Sequence, residues 1–161
     1  MKEILISIKP NNICNIANHL KFIELRKTKP TTKVPFKCFI YCTNDRKYVL
    51  DFDNKFFIDK NYGGKHYYNG KVVGEFICNK VENYITKRNG DYFWTFNSQK
   101  EIEDFKVKTC LSIEELISYT GDSNGLYGWH ISDLKIYDKP KELSEFQPLK
   151  RPPQSWCYVE F

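Results

Sequence analysis

Residues 19–26 read His19-Leu20-Lys21-Phe22-Ile23-Glu24-Leu25-Arg26, and they sit where one apolar pattern gives way to another. Upstream, Ile13, Ile16, Ala17 and Leu20 fall at i, i+3, i+4 and i+7, which is one face of a helix about two turns long. Asn12 is placed to cap that helix. Downstream the pattern alternates, with Ile23 and Leu25 pointing one way and Phe22, Glu24 and Arg26 the other, as on a strand. Glu24 and Arg26 therefore share a strand face, Lys21 lies at the helix-to-strand turn, and Ile23 and Leu25 anchor the opposite face in a core. A carboxylate between two cations stays ionised and positions both. An arginine held in this way presents a planar fork to a phosphate or a base edge. The residues alone equally allow an ion-pair stripe on the surface of an edge strand.

Outward from this segment, strands outnumber helices. Ile4 to Ile8 is a short apolar run ended by Pro10 and reads as a buried first strand. Phe36 to Cys42 and Arg46 to Phe52 read as two strands of a hairpin joined by Thr43-Asn44-Asp45. Asn69-Gly70 and Asn89-Gly90 are turn signals, and Lys71 to Val81 is the longest strand expected. Ser98 with Glu101, and Ser112 with Glu115, form capping boxes ahead of short helices. Leu111 and Leu116 are at staple positions around the second box, and Gly121 terminates its helix. Tyr127 to Tyr137 and Trp156 to Phe161 are further strands, with a helical turn over Pro140 to Phe146. The expected class is α+β with a curved or closed sheet.

The 161 residues fit one domain spanning 1–161. Apolar content of 41% and aromatic content of 16% support a packed core. The formal charge is +5, and lysine supplies 21 of the 25 basic residues. This balance permits contact with phosphates without requiring it. No run of 18 apolar residues predicts a membrane span. The charged, strand-like start lacks the apolar centre of a signal peptide, so a cytosolic location is expected. Six cysteines lack C-x-x-C spacing and read as small buried hydrophobes. Cys38 and Cys42, four apart on a strand, would be roughly 13 Å apart, too far to share a zinc ion. No metal or cofactor is expected.

Four further features bear on function. Glu75 shares its expected strand face with Val73 and Ile77; it is either a water-facing edge residue or a base or orienting group opposite Lys21. Trp129 would stack on a base at about 1–3 kcal/mol if exposed, or belong to the core; His130 faces the other way. Residues Lys60 to Lys71 mix basic, aromatic and glycine residues, Tyr67 among them, a mixture suited equally to single-stranded RNA and to a mobile hairpin tip with solvated tyrosines. Lys27, Lys29, Lys33 and Lys37 extend the basic surface from the neighbouring Lys/Thr/Pro loop.

The chain resembles the ASCH family, which is marked by a G-x-K-x-x-E-x-R motif after its first helix. Lys21, Glu24 and Arg26 match it, and His19 stands in the glycine's place. The opening ILISIKP, the strand Gly70 to Phe76, the helix Ser112 to Leu116, the run Tyr127 to Leu143 and the close Pro153 to Glu160 are similar to members of the family in order. The resemblance implies a PUA-like small β-barrel of mixed strands flanked by short helices, with the charged motif lining a cleft for RNA or a nucleotide. Some proteins that resemble this fold hydrolyse the acetyl amide of acetylcytidine with a Lys, a Thr and a Glu, and others are reported as ribonucleases. Here Lys21 matches the lysine, but Glu24 occupies the threonine's position, and a carboxylate is not an equivalent nucleophile.

These readings give a candidate nucleic-acid-binding set of Lys21, Glu24, Arg26, Lys9, Trp129 and Tyr67. If the protein is an enzyme, the catalytic set is Lys21, Glu24 and Glu75, acting as a nucleoside amidohydrolase or ribonuclease. The expected partner is RNA, a nucleotide or a nucleoside, with no membrane, and the chain is expected to be a monomer or weak dimer. A small regulator of a protein partner is the third reading, favoured by an exposed apolar patch away from the charged cleft.

Overall fold

The computed structural model describes residues 3–51, 56–59 and 68–161. A six-stranded mixed sheet dominates it, built from β1 (Glu3–Ile8), β2 (Ile23–Arg26), β3 (Phe36–Cys42), β6 (Val72–Asn83), β9 (Tyr127–Lys141) and β10 (Trp156–Val159). Their order is β10-β1-β3-β6-β9-β2. Only β1 and β3 are parallel neighbours; every other pair in the sheet is antiparallel. The sheet curls into a half-barrel, an α+β architecture as expected. Two two-stranded ribbons complete the strands: β4 (Tyr48–Asp51) with β5 (Phe56–Asp59), and β7 (Ile85–Arg88) with β8 (Asp91–Trp94).

The central strands are apolar on both faces because both are covered. Ile4, Ile6 and Ile8 of β1 join Cys38, Ile40 and Cys42 of β3 in the main core, together with Ile13 and Ile16 of α1 (Pro10–Ala17). The alternate residues Leu5, Phe39 and Tyr41 pack on the other face against Phe146 and Val159. A third cluster holds Ile23 and Leu25 of β2 with Tyr84, Ile85, Leu126, Phe105 of α2 (Gln99–Thr109) and Leu116 of α3 (Ile113–Thr120).

Local signals hold where the chemistry is local. Ser112 with Glu115 forms the expected reciprocal capping box on α3, while on α2 Ser98 accepts from the Glu101 amide but the Glu101 carboxylate accepts from the Asn97 amide, so the expected box is only half formed. Asn89 and Gly90 both have positive φ, 52° and 90°, the geometry that a two-residue hairpin between β7 and β8 requires. Several expectations are corrected. Helix α1 starts at Pro10, with Lys9 as its N-cap, and ends at Ala17, which leaves Leu20 exposed. The strands β3 and β4 do not form a hairpin: β3 is claimed by β1 and β6, and β4 pairs with β5. Among the described residues the longest strand is β9, with 15 residues, and it runs through Pro140.

Strand β2 lies at a sheet edge and, among the described residues, pairs only with β9, Leu25 opposite Gly128. A Cβ at Gly128 would fall 2.4 Å from the Tyr84 ring and 2.8 Å from Ile23 Cγ2. The ring cannot swing aside freely, because the Tyr84 hydroxyl donates to Glu82 at 2.7 Å. Gly128→Ala is therefore expected to push β2 off β9 and destabilise the protein by about 1–3 kcal/mol, read as a lower midpoint in urea unfolding.

Candidate functional site

Three charged side chains from residues 19–26 are buried: Lys21 is 3% exposed, Glu24 5% and Arg26 7%. The surface-stripe alternative for this segment is thereby excluded. Their positions follow from what covers each end of β2. The Lys21 ammonium donates to the Thr109 carbonyl at 2.7 Å and the Phe22 amide to the Lys108 carbonyl at 2.8 Å. The open carbonyls at the end of α2 are thus satisfied by the turn into β2, with a cation at the helix's negative end. Lys21 Nζ also lies 3.5 Å from Glu24 Oε2, while Glu24 Oε1 accepts from Arg26 Nη2 at 2.9 Å. The same Nη2 donates to the Ser7 carbonyl of β1 at 2.6 Å, and Nη1 reaches Ser155 Oγ at 3.5 Å.

Arg26 therefore spans the seam of the half-barrel. It starts on edge strand β2 and ends on β1 and on the residue preceding β10, the other edge strand. Beside this bridge opens a cleft of about 620 Å³. Lys9, Lys21, Glu24 and Arg26 all line it, so four of the sequence-derived candidates come together. Lys27, Thr28, Ser7, Ser155, Leu25, Leu111, Tyr119 and Glu115 complete the parts that matter chemically. Four cations face two carboxylates, leaving the cleft positive. Its apolar side includes Tyr119, whose hydroxyl donates to the Leu25 carbonyl at 3.1 Å and whose phenol is pushed up chiefly by burial.

Other candidates fall elsewhere. Glu75 is not among the residues lining the cleft. Its Oε2 accepts from the Tyr137 hydroxyl at 2.5 Å and its Oε1 lies 3.8 Å from Lys37 Nζ. The expected face-sharing with Val73 fails because register shifts interrupt β6, and Val73 joins Phe76 and Cys78 in the main core. Trp129 is fully buried, edge-to-face on Phe36 at 5.5 Å, which removes it as a stacking platform. Tyr67 and most of the Lys60–Lys71 stretch lie outside the described residues. His19, in the place of the motif's glycine, has φ 56°, the left-handed region that glycine favours and histidine tolerates better than most residues.

Sequence reasoning missed Ser7 and Tyr119, since neither stands in a charged or turn-forming pattern. It also missed a network behind β2. Glu82 accepts from the Tyr84 hydroxyl at 2.7 Å, pairs with His130 Nε2 at 2.8 Å and contacts Lys80. Burial alone would raise the Glu82 carboxyl, but these three partners hold it down at about 2. The network borders a second hollow of about 530 Å³, on the Ile23 side of the strand.

Comparison with known proteins gives the fold. No family model matches the chain, and no curated protein matches its sequence. Among solved structures, the chain is similar to ASCH from Zymomonas mobilis, with a TM-score of 0.64 and 17% identity over 99% of this chain and 88% of that one. Two single-residue variants of the same protein match at the same TM-score and 16% identity, over 91% and 89% of their chains. The architecture is therefore an ASCH-type fold.

Removing the Glu24 carboxylate would leave two buried cations facing each other. Glu24→Ala is expected to cost about 3–5 kcal/mol of unfolding free energy, measured by denaturant titration. Glu82 sets an acid limit instead. Its folded value lies below the ordinary 4.5, so its contribution is present above that pH and is lost as pH falls towards about 2. Glu82→Gln should flatten the decline of thermal midpoint across that window.

Proposed function

We propose that this chain, sharing its fold with ASCH proteins, uses the seam cleft to bind RNA or a nucleotide. The observation that carries this reading is the fixed guanidinium of Arg26 on the floor of a cleft where four cations meet two carboxylates. Arg26 is held by Glu24 and the Ser7 carbonyl, so its charge is oriented before any ligand arrives. Preorganisation of this kind reduces the ordering cost of binding. Lys9 and Lys27 line the same cleft and supply charge for phosphate oxygens, with Ser155 beside Arg26 as a hydroxyl partner. Leu111 and Tyr119 offer an apolar wall for a base or sugar. A volume of about 620 Å³ falls in the range of small-molecule sites and suits one nucleotide unit.

Lys21 and Glu24 act here as scaffolding for Arg26 and not as proton carriers. Lys21 is spent on the Thr109 carbonyl and Glu24, and Glu24 Oε2 is buried. A general acid or base must reach the proton it moves.

Titration of uridine and cytidine 5′-monophosphates by calorimetry, with product analysis of the same samples, tests the reading. Saturable binding without product is expected. Lys9→Ala should weaken it about fivefold, equivalent to roughly 1 kcal/mol. Arg26→Lys, which keeps the charge and loses the fork, should weaken it about tenfold or more. If no nucleotide or RNA binds the folded protein, the cleft has another ligand; if product accumulates, the chain is an enzyme.

A further inference from the structure

Between Glu24 and Asp45 the chain carries Arg26, Lys27, Lys29, Lys33 and Lys37 and not one acidic residue. Residues 27–35 form a strap that leaves β2 at the cleft and returns to β3. Lys27 and Thr28 are cleft residues, so the strap is continuous with it. Its three lysines are exposed, and among the described residues none has a carboxylate within ion-pair distance. Lys27 and Lys29 lie instead over the rings of Tyr119 and Tyr127, at 5.4 and 5.6 Å, contacts that leave their charge unneutralised.

The strap is also pinned. The Tyr158 hydroxyl on β10 accepts from the Thr31 amide at 3.0 Å and the Thr32 amide at 3.3 Å, and contacts both threonine hydroxyls. Trp156 Nε1 donates to Thr28 Oγ1 at 2.9 Å. Two aromatic residues of the closing strand thus hold a cationic loop in a set position beside the cleft mouth. A loop whose lysines served only solubility would need no such anchoring.

We propose that the strap is a phosphate track continuing the cleft, so that the ligand is a single strand of nucleic acid that runs from the cleft over Lys29 and Lys33. This rests on the cleft reading above and deepens it from a nucleotide unit to a strand. Phosphate neutralisation by these lysines adds affinity that depends on length and falls with salt.

The experiment compares uridine 5′-monophosphate with fluorescein-labelled oligouridylates of four and eight residues, by competition and anisotropy, over a salt series. For the native chain, the octamer should bind at least tenfold tighter than the monophosphate. In the Lys29→Ala/Lys33→Ala variant, the octamer should weaken about tenfold, with its salt slope reduced by about 1.4, while monophosphate affinity stays unchanged. Tyr158→Phe, which removes the pin on Thr31 and Thr32 and keeps the lysines, should weaken the octamer several-fold and leave the monophosphate alone. Circular dichroism checks that each variant is folded. Equal affinity for monophosphate and octamer, or an octamer indifferent to loss of both lysines, overturns the track and leaves the cleft reading standing. Failure of every ligand to bind overturns the cleft reading itself.

Discussion

A guanidinium crossing the open seam of a curled sheet is the constraint on which the rest depends. Strands β2 and β10 end the six-stranded order and share no ladder, so the half-barrel is joined there by side chains. Arg26 reaches from β2 to the Ser7 carbonyl on β1, and Trp156 and Tyr158 of β10 hold the strap that follows β2. Taking a guanidinium out of water costs several kcal/mol unless it is paired and hydrogen-bonded. Glu24 supplies the pairing, and Lys21 balances the charge that Glu24 does not spend on Arg26. The ionic trio is therefore a consequence of closing the barrel with an arginine. A side-chain bridge fills less space than a strand would, and the cleft is the room left over.

Accurate placement of that bridge demands a rigid β2, although the strand is four residues long and lies at an edge. Rigidity comes from covering both of its faces. Ile23 and Leu25 pack under α2 and α3, while Glu24 and Arg26 face the seam, and all four residues are buried. The end of α2 is fastened to the start of β2 by the Lys21 ammonium and the Phe22 amide. Behind the strand, His130 opposite Ile23 is tied through Glu82 to Tyr84, whose ring leaves space only for glycine at position 128. Packing, capping and charge pairing converge on one short element, the consistency that specifies a single conformation.

What was legible in the sequence was local. The helix-to-strand change at Lys21, the capping box of α3 and the Asn89-Gly90 turn depend on neighbours a few residues away, and each stands as read; at α2 only the Ser98 half of the expected box forms. Partner choice depends on distant burial, and there reading failed. The β3 run looked like half of a hairpin because Thr43-Asn44-Asp45 resembles a turn, yet a strand apolar on both faces belongs in the middle of a sheet. Glu75 seemed to face the cleft because strict alternation was assumed through bulges that no residue pattern announces. Trp129 offered a ring to bases only as long as Phe36 and Trp156 were not known to enclose it. The burial of Lys21 stayed open because Thr109, whose carbonyl accepts its hydrogen bond, lies 88 residues away.

The burial and pairing of the motif that carries the family resemblance follow from folding before any ligand is considered. Its glycine position is a left-handed turn residue here, φ 56°, and histidine fills it at a modest conformational cost with its side chain in solvent. Its lysine fastens a helix end, its glutamate joins two cations, and its arginine closes a seam. All three are almost wholly buried. Such residues would be retained by any protein using this closure, whatever its ligand, because losing one leaves the others as unpaired buried charges. Differences in what such proteins bind are then to be sought in the side chains around the cleft mouth, which no closure requirement constrains. In this chain those are Lys9, Lys27, Ser155 and Tyr119, with the lysines of the strap beyond them. The motif accounts for where the cleft is; under the proposed function, its rim decides what the cleft holds.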